Sequence, residues 1–159
     1  MSFPPQRVRR SVAFWIASGA GAGLAPFAAG TFGSLAALIP WLLLRELPLW
    51  GYALAVCAVF VLGAWAAQRV IADMREEDPG VVVIDEFVGL WIALLAAPRG
   101  WGWIALGFAL FRLFDIWKPW PVSWADQRIK GGFGTMLDDA IAGLYALATL
   151  QLLMLLLRG

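Results

Sequence analysis

The sequence contains no histidine. This absence excludes a phosphohistidine intermediate, a serine or cysteine nucleophile activated by histidine, and histidine-ligated zinc. The one cysteine, Cys57, cannot form a disulfide within the chain. It also lies in an apolar run without the basic neighbour that a reactive thiolate needs. Polar chemistry in this chain therefore depends on carboxylates, hydroxyls, lysine and arginine.

Charge is also scarce, because only 14% of the residues are charged while 62% are hydrophobic, and the mean hydropathy is +0.77. A soluble domain carries about 25% charged residues. The composition therefore predicts an all-α, multi-helical integral membrane protein surrounded by membrane lipids. We expect one membrane-embedded domain over residues 1–159, with a basic tail at residues 1–11. A net charge of +1 gives no reason to expect a nucleic-acid partner.

Six apolar stretches predict about five to six helices, some of them half-length. The stretches cover residues 12–24, 35–44, 49–67, 87–97, 101–113 and 137–157. Only the third and the last approach the roughly 20 residues that cross a bilayer. The first follows three arginines and resembles a signal peptide, although the apolar character continues to Leu44. We expect a half-helix or interfacial helix there, and a spanning helix is the open alternative.

The basic residues predict an orientation. If the first segment returns to its own side and each later segment crosses, nine lysines and arginines share one side and three share the other. The positive-inside rule places the side with nine in the cytoplasm. The acidic helix ends all fall on that same side. The chain has no internal repeat, which counts against the inverted-repeat transporter plan.

Three groups of acids lie at or near the ends of these apolar helices. They are Asp78 with Asp85 and Glu86, then Asp115, and then Asp138 with Asp139. A charge at the centre of a membrane helix costs roughly 2.5 to 3.5 kcal/mol, so acids in such positions indicate function by default. Acids at a helix N-terminus also gain from the helix dipole.

Small residues follow these acids at helical spacing and predict close packing between helices. They are Gly89, Ala93 and Ala97 after Glu86, and Gly143 and Ala146 after Asp139. Converging carboxylates without histidine or cysteine form an all-oxygen site, which suits Mg²⁺, Mn²⁺ or Ca²⁺. We therefore expect the three acidic groups to form a metal site. The alternative is an ion-pair network that only fixes helix packing.

A glycine-rich turn, GTFGS at residues 30–34, predicts a phosphate site at the start of a helix. Gly30 and Gly33 permit close backbone approach, and Thr31 is the expected N-cap. The free N–H groups from Gly30 to Ser34 would bind an anion. The alternative is a helix start with a flexible turn and no ligand.

A second phosphate contact is expected from Lys118, at the end of the FRLFDIWKPWP segment. Arg112, Asp115 and Lys118 are spaced three residues apart and share one helix face. We expect Arg112 to neutralise Asp115, which leaves Lys118 free to reach a phosphate.

The segment after Lys118 is rich in tryptophan. Trp117, Trp120 and Trp124 predict an aromatic belt at headgroup depth. Asp126 and Arg128 are expected on a surface turn.

Three segments together resemble the phosphatidylglycerophosphatase A family of bacterial membrane lipid phosphatases. They are GLAPFAAGTFGSLAA, DPGVVVIDEFVGLWIAL and FRLFDIWKPWPVSWADQRIKGGFGTMLDDAIAG. The resemblance runs from about Gly23 to Gly143, and it departs from the family at Ala29, where proline is usual. It implies a mostly helical, multi-pass protein of the bacterial inner membrane. The implied activity is Mg²⁺-dependent removal of the terminal phosphate from phosphatidylglycerophosphate, a phospholipid substrate, to give phosphatidylglycerol.

The resemblance also transfers functional roles to the motif positions Asp78, Asp85, Glu86, Asp115, Lys118, Asp138 and Asp139. The hypothesis is metal-assisted hydrolysis, with Asp85, Glu86, Asp139 and Lys118 as catalytic residues. Asp139 or Glu86 would orient or deprotonate the attacking water. A lipid phosphotransferase and a cation or proton transporter are the alternative functions for the same carboxylates. The number of metal ions, the formation of an aspartyl-phosphate intermediate and the oligomeric state stay open.

Overall fold

The fold is all-α in a computed structural model of the chain, which describes residues 4–158. Over that range the backbone forms eight α-helices and one 3₁₀ turn, Ala22–Leu24, and it contains no strand. The helices are α1 Gln6–Arg9, α2 Val12–Ala17, α3 Ala29–Leu44, α4 Leu49–Met74, α5 Ile84–Ala93, α6 Trp101–Trp117, α7 Val122–Arg128 and α8 Gly131–Arg158. Five of them have ten residues or more, so the predicted all-α class is confirmed.

The two longest helices, α4 and α8, are long and apolar enough to cross a membrane. Their 26 and 28 residues correspond to about 39 and 42 Å. Only 17% and 28% of their most apolar windows are buried inside the protein, so their apolar surfaces face outward. A core helix of a soluble protein would be mostly buried. These two helices are consistent with a membrane protein.

The remaining helices are shorter, as the interrupted apolar stretches predict. α3 and α6 extend for about 24 and 26 Å, and α5 for only about 15 Å. α2 has six residues, and the chain leaves it through positive φ angles at Gly19, Ala20 and Gly21. The first apolar segment therefore contains a short helix that cannot cross a bilayer. Of the predicted basic tail, residues 1–3 lie outside the described residues.

α5 is the central helix of the bundle. Eight of its residues are buried, and it packs against α3, α4, α6 and α8. The indole of Trp91 donates a hydrogen bond to the Ala37 carbonyl of α3 at 2.9 Å. The Tyr52 hydroxyl of α4 donates to the Trp91 carbonyl at 2.5 Å. These two hydrogen bonds join α5 to α3 and to α4.

The small residues of α5 and α8 place the two backbones in direct contact. A Cβ atom on Gly143 would overlap the Gly89 carbonyl oxygen, and one on Gly89 would lie 2.8 Å from the Asp139 carbonyl oxygen. Ala93 and Ala146 follow about one turn later on their helices and are completely buried. The predicted close packing is present. As a consequence, Asp85 and Glu86 in the first turn of α5 lie beside Asp139 of α8. The expected position of Asp138 and Asp139 at a helix N-terminus is wrong, because α8 begins at Gly131 and they are its eighth and ninth residues.

The break predicted after Lys118 contains a short helix, α7. Trp117, Trp120 and Trp124 around it are 50 to 76% exposed. Exposed indoles at the ends of apolar helices are typical of an interfacial aromatic belt.

Candidate active site

A cavity of about 500 Å³ lies at the end of the bundle where α3, α5 and α8 begin and α6 ends. Two lysines, Lys118 and Lys130, line it together with eight carboxylates. The carboxylates are Glu77, Asp78, Asp85, Glu86, Asp115, Asp126, Asp138 and Asp139. The cavity therefore contains all six acids that were predicted to converge. Its large excess of negative charge favours a bound cation.

Asp85, Glu86 and Asp139 form the most compact group in the cavity. One carboxylate oxygen from each residue lies within 4.8 Å of the others. Asp85 and Asp139 are buried, with exposed fractions of 9% and 4%. The Glu86 Oε2 and Asp139 Oδ2 atoms are buried without a hydrogen-bond partner among the residues that the structure describes. Unpaired buried carboxylate oxygens are costly, and a hard divalent cation is the ligand that would satisfy them.

Asp138 and Asp115 lie beside this group and are already paired. Asp138 Oδ2 accepts a hydrogen bond from Lys118 Nζ at 2.8 Å. Asp115 Oδ2 is 2.5 Å from Arg112 Nη1, which confirms the predicted neutralisation of Asp115 by Arg112. The same Nη1 atom lies 3.9 Å from Glu86 Oε1. Arg112 thus connects the end of α6 to the first turn of α5, a contact that the sequence analysis did not predict.

Asp78 differs from the other acids, because it is exposed and lies at the mouth of the cavity. It precedes α5 by six residues and is not part of the compact carboxylate group. Asp78 therefore stays a predicted ligand for an ion or a substrate that reaches the mouth of the cavity.

Lys118 is not free, contrary to the prediction. Its Nζ donates to Asp126 Oδ1 at 2.6 Å and to Asp138 Oδ2 at 2.8 Å. Partial burial alone would lower the pKa of Lys118, but the two carboxylates outweigh it, so the pKa lies above its ordinary value. The side chain is therefore a cation held between α7 and α8.

Asp126 was expected on a surface turn and instead lines the cavity. It follows Lys118 by eight residues, which is not a spacing that brings two side chains together on one helix. The contact exists because α7 folds back beside α8. No local signal in the sequence indicates it.

The glycine-rich turn has a different structure from the one predicted. α3 begins at Ala29, and Ala28 is its N-cap in a left-handed conformation with φ 47°. The Thr31 N–H donates to the Ala28 carbonyl at 2.8 Å, so Thr31 lies inside the first turn and the expected N-cap is wrong. The chain turns into the helix earlier because Ala28 adopts a conformation usually reserved for glycine or asparagine.

Of the predicted phosphate-binding residues in this turn, only Gly30 lines the cavity. Ser34 is buried and its hydroxyl donates to the Gly30 carbonyl at 2.8 Å. Gly33 faces Val83, since a Cβ atom there would lie 2.7 Å from the Val83 Cβ. The phosphate role therefore stays a prediction for Gly30 and for the N–H groups of the first turn of α3.

Gly30 also determines how closely α3 approaches the acids. A Cβ atom at this position would overlap Glu86 Oε1 and would lie 3.1 Å from Arg112 Nη1. Only glycine leaves room for both side chains.

The fold and the site together define a class: an all-α protein of membrane composition with a buried, histidine-free carboxylate cluster and a fixed lysine in one cavity. A family model described as Phosphatidylglycerophosphatase A matches residues 15–154. The chain belongs to this family, and it is a phosphoric monoester hydrolase.

Three curated relatives cover most of the chain. Phosphatidylglycerophosphatase A of Escherichia coli K12 is 45% identical over 129 residues, which are 80% of this chain and 75% of the relative. Phosphatidylglycerophosphatase A of Haemophilus influenzae is 44% identical over 133 residues, 82% of each chain. A Bacteroides thetaiotaomicron protein, named as a candidate phosphatidylinositol-3-phosphatase, is 45% identical over 139 residues, 82% of this chain and 86% of the relative. No solved structure matches this chain.

Proposed function

We propose that the chain hydrolyses the terminal phosphomonoester of phosphatidylglycerophosphate and releases phosphatidylglycerol and phosphate, with Mg²⁺ as the cofactor. The observation that carries this proposal is the group of Asp85, Glu86 and Asp139, whose unpaired oxygens lie in an acidic cavity. The names of the two phosphatidylglycerophosphatase A relatives support the choice of substrate. Residues 1–159 would act as a single phosphatase domain.

Asp85, Glu86 and Asp139 would hold the metal ion, with Asp138, Asp115 and Asp78 as further oxygen donors around it. When bound, Mg²⁺ would stabilise the negative charge that develops on the phosphoryl oxygens. Mg²⁺ typically uses one or two carboxylates and substrate phosphate and retains several waters, so not every acid in the cavity needs to be a ligand.

The phosphomonoester would lie between Lys118 and the first turn of α3. The N–H groups at the start of a helix lack intrahelical acceptors and bind anions, and Gly30 lets a phosphate approach the backbone there. Lys118 would exchange one of its carboxylate partners for a phosphate oxygen. Its cationic charge then offsets the charge of the substrate in the transition state.

In the hydrolytic step a water oxygen attacks phosphorus and the bond to the glycerol oxygen breaks. Of Asp139 and Glu86, the residue whose unpaired oxygen does not hold the ion accepts one proton of the water. The same carboxyl group then gives this proton to the leaving glycerol oxygen, and the phosphate is released with the other proton of the water. Arg112 acts here by holding Glu86 and Asp115 in place.

The cavity would open to the cytoplasm at the bacterial inner membrane. Consecutive helices from α3 to α6 alternate in direction, and α7 leads into α8. The nine basic residues that the sequence analysis assigns to one side would therefore lie at the end of the bundle that contains the acidic cavity. The positive-inside rule then supports this orientation.

The test is phosphate release from phosphatidylglycerophosphate by the detergent-purified protein, first with Mg²⁺ and then with a chelator. We expect release that requires Mg²⁺ and is restored by its re-addition. Phosphatidylinositol 3-phosphate is the comparison substrate, because one relative is named for it. Faster turnover of that lipid would reassign the substrate. No release from either lipid, together with ion flux in protein-loaded vesicles, would favour the transporter alternative.

The Asp139→Asn variant tests the carboxylate group directly. Removing the charge that holds the ion or accepts the water proton should lower kcat by about 10² to 10⁴-fold. Asp73→Asn is the matched control, because Asp73 is exposed on α4 and does not line the cavity. Both variants should retain the melting temperature of the parent within a few degrees. Parent-like turnover in Asp139→Asn would remove this residue from the site.

A further inference from the structure

A second cavity, of about 270 Å³, lies at the opposite end of the bundle. It is lined by Trp41 and Arg45 at the end of α3, by Tyr52 near the start of α4, and by Arg99 in the turn before α6. α3 separates Gly30 in the acidic cavity from Arg45 by about 22 Å. The second cavity therefore has no contact with the carboxylates of the proposed reaction.

The polar groups of this cavity are hydrogen-bond donors. The Arg45 side chain is only 17% exposed, and its guanidinium lies over the Trp41 ring at 4.6 Å from the centroid. The Trp41 indole N–H is buried without a hydrogen-bond partner among the described residues. The Tyr52 hydroxyl lies beside this indole, but the pair does not meet hydrogen-bond geometry. The guanidinium groups of Arg45 and Arg99 are the charged donors of this lining.

The charge of the second cavity is positive. Its lining contains two arginines and no carboxylate. Glu46 lies outside the lining and faces both arginines, with Oε2 3.2 Å from Arg99 Nη2 and Oε1 3.8 Å from Arg45 Nε. One carboxylate that is 60% exposed cannot neutralise two guanidinium groups. An anion is the ligand that this charge fits, and guanidinium groups suit the oxygens of a phosphate.

The walls of the cavity indicate that the anion is part of a lipid. Apart from the groups above, the lining consists of leucine and alanine side chains. Leu47, Leu49 and Trp50, at the same end of the bundle, are 46 to 73% exposed. A headgroup phosphate between the arginines would therefore have apolar protein surface beside it for acyl chains. A soluble anion would gain nothing from these side chains.

We propose that this cavity binds the phosphodiester headgroup of an anionic phospholipid, in the leaflet opposite to the catalytic cavity. Arg45 and Arg99 are its donors. Glu46 competes with the lipid for the two arginines.

The test is lipid retention by the detergent-purified full chain, measured by native mass spectrometry with dioleoylphosphatidylserine and with dioleoylphosphatidylcholine. Phosphatidylserine is a phosphodiester, so it is not a phosphomonoester substrate. We expect preferential retention of one phosphatidylserine molecule. Arg99→Gln should lower this retention about tenfold, which is a typical loss for one charge-assisted hydrogen bond. Because Arg99 is 82% exposed, this variant should fold normally.

Two further variants keep the test specific. Glu46→Gln removes the competing carboxylate and should increase phosphatidylserine retention, which a merely structural pair with Arg99 would not do. Asp85→Asn alters only the catalytic cavity and should leave retention unchanged. Equal retention of the two lipids, or unchanged retention in Arg99→Gln, would overturn the proposal. Displacement of the lipid by millimolar inorganic phosphate would assign the cavity to a soluble anion and would also overturn it.

Discussion

At the scale of single residues, the two ion pairs of Lys118 bear most directly on the proposed reaction. The lysine has two carboxylate partners, and only one of them, Asp138, belongs to the helix that carries Asp139. Asp126 comes from the short helix α7 and is the more exposed partner, at 43% against 9%. An exposed ion pair contributes little free energy, so Asp126 is the partner that a phosphate can replace.

The variant Asp126→Asn tests this exchange. Without the Asp126 charge, Lys118 should bind the substrate phosphate more readily, so we expect KM to fall about three- to tenfold with kcat little changed. The measurement is steady-state phosphate release over a range of lipid concentration. Lys118→Met is the comparison variant and should raise KM and lower kcat. An increase in KM for Asp126→Asn would show that Asp126 positions Lys118 rather than competing for it.

Gly30 is the second residue whose substitution should alter the site. In Gly30→Ala the new methyl group would overlap the Glu86 carboxylate and crowd the Arg112 guanidinium. These are the ends of flexible side chains, so they can move aside, and we expect a large loss of phosphatase activity from the displaced carboxylate with little change in melting temperature. Gly102→Ala in α6 is the matched control, because a Cβ there meets nothing within 4 Å. Equal behaviour of the two variants would contradict the role of Gly30.

At the scale of the helices, the contact between α5 and α8 determines the geometry of the site. Asp85 and Glu86 lie one turn before Gly89, and Asp139 lies one turn before Gly143. The two glycines bring the backbones together, so the carboxylates converge without long side chains having to reach across a gap. Asp85 and Glu86 lie in the first turn of α5, where the helix dipole lowers the cost of holding their charges, whereas Asp139 lies more than two turns inside α8 and lacks this support.

Gly143→Ala should therefore separate the acids. The added Cβ overlaps the Gly89 carbonyl, so α8 must move away from α5 and the oxygens of Asp85 and Asp139 move apart. We expect a fall in phosphatase activity of at least about tenfold and a higher Mg²⁺ concentration for half-maximal activity. Leu144→Ala, on the exposed side of the same helix, should change neither value. The measurement is phosphatase activity across a Mg²⁺ titration for both variants. Equal curves for Gly143→Ala and Leu144→Ala would contradict the role of the contact between α5 and α8.

At the scale of the whole molecule, the two ends of the bundle differ in charge. The end where α5 and α8 begin contains an acidic cavity, and the opposite end contains a cavity with two arginines and no acid in its lining. Helices of unequal length connect them, and within residues 4–158 only α4 and α8 have the length and hydropathy of full membrane spans. The shorter helices α3, α5 and α6 pack beside them, so the polar groups at both ends are surrounded by protein on several sides.

The orientation can be tested with a pair of accessible positions, one at each end. In a background with Cys57→Ser, the substitutions Asp73→Cys and Glu46→Cys each place one thiol at one end. A membrane-impermeant thiol reagent should label Glu46→Cys in spheroplasts and Asp73→Cys only after permeabilisation. The reverse pattern would place the acidic cavity outside the cytoplasm and would contradict the positive-inside argument.

The sequence by itself determined the properties that depend on composition and local spacing. The absence of histidine, the low charge and the apolar stretches predict an all-α protein with oxygen-based chemistry, and the fold is all-α. Glycine and alanine at helical spacing after Glu86 and Asp139 predict the contact between α5 and α8. These patterns are reliable because a helix places residues four apart on one face whatever lies around it.

Only the tertiary structure decided which side chains meet between elements. Ala28 and Lys118 adopt left-handed backbone conformations that their residue types do not signal, with φ 47° and 48°. The first moves the start of α3, so Gly33 and Ser34 face away from the cavity. The second lies where the chain turns into α7, which brings Asp126 to Lys118. A single backbone angle redirects every residue after it, and for that reason local sequence patterns do not determine these contacts.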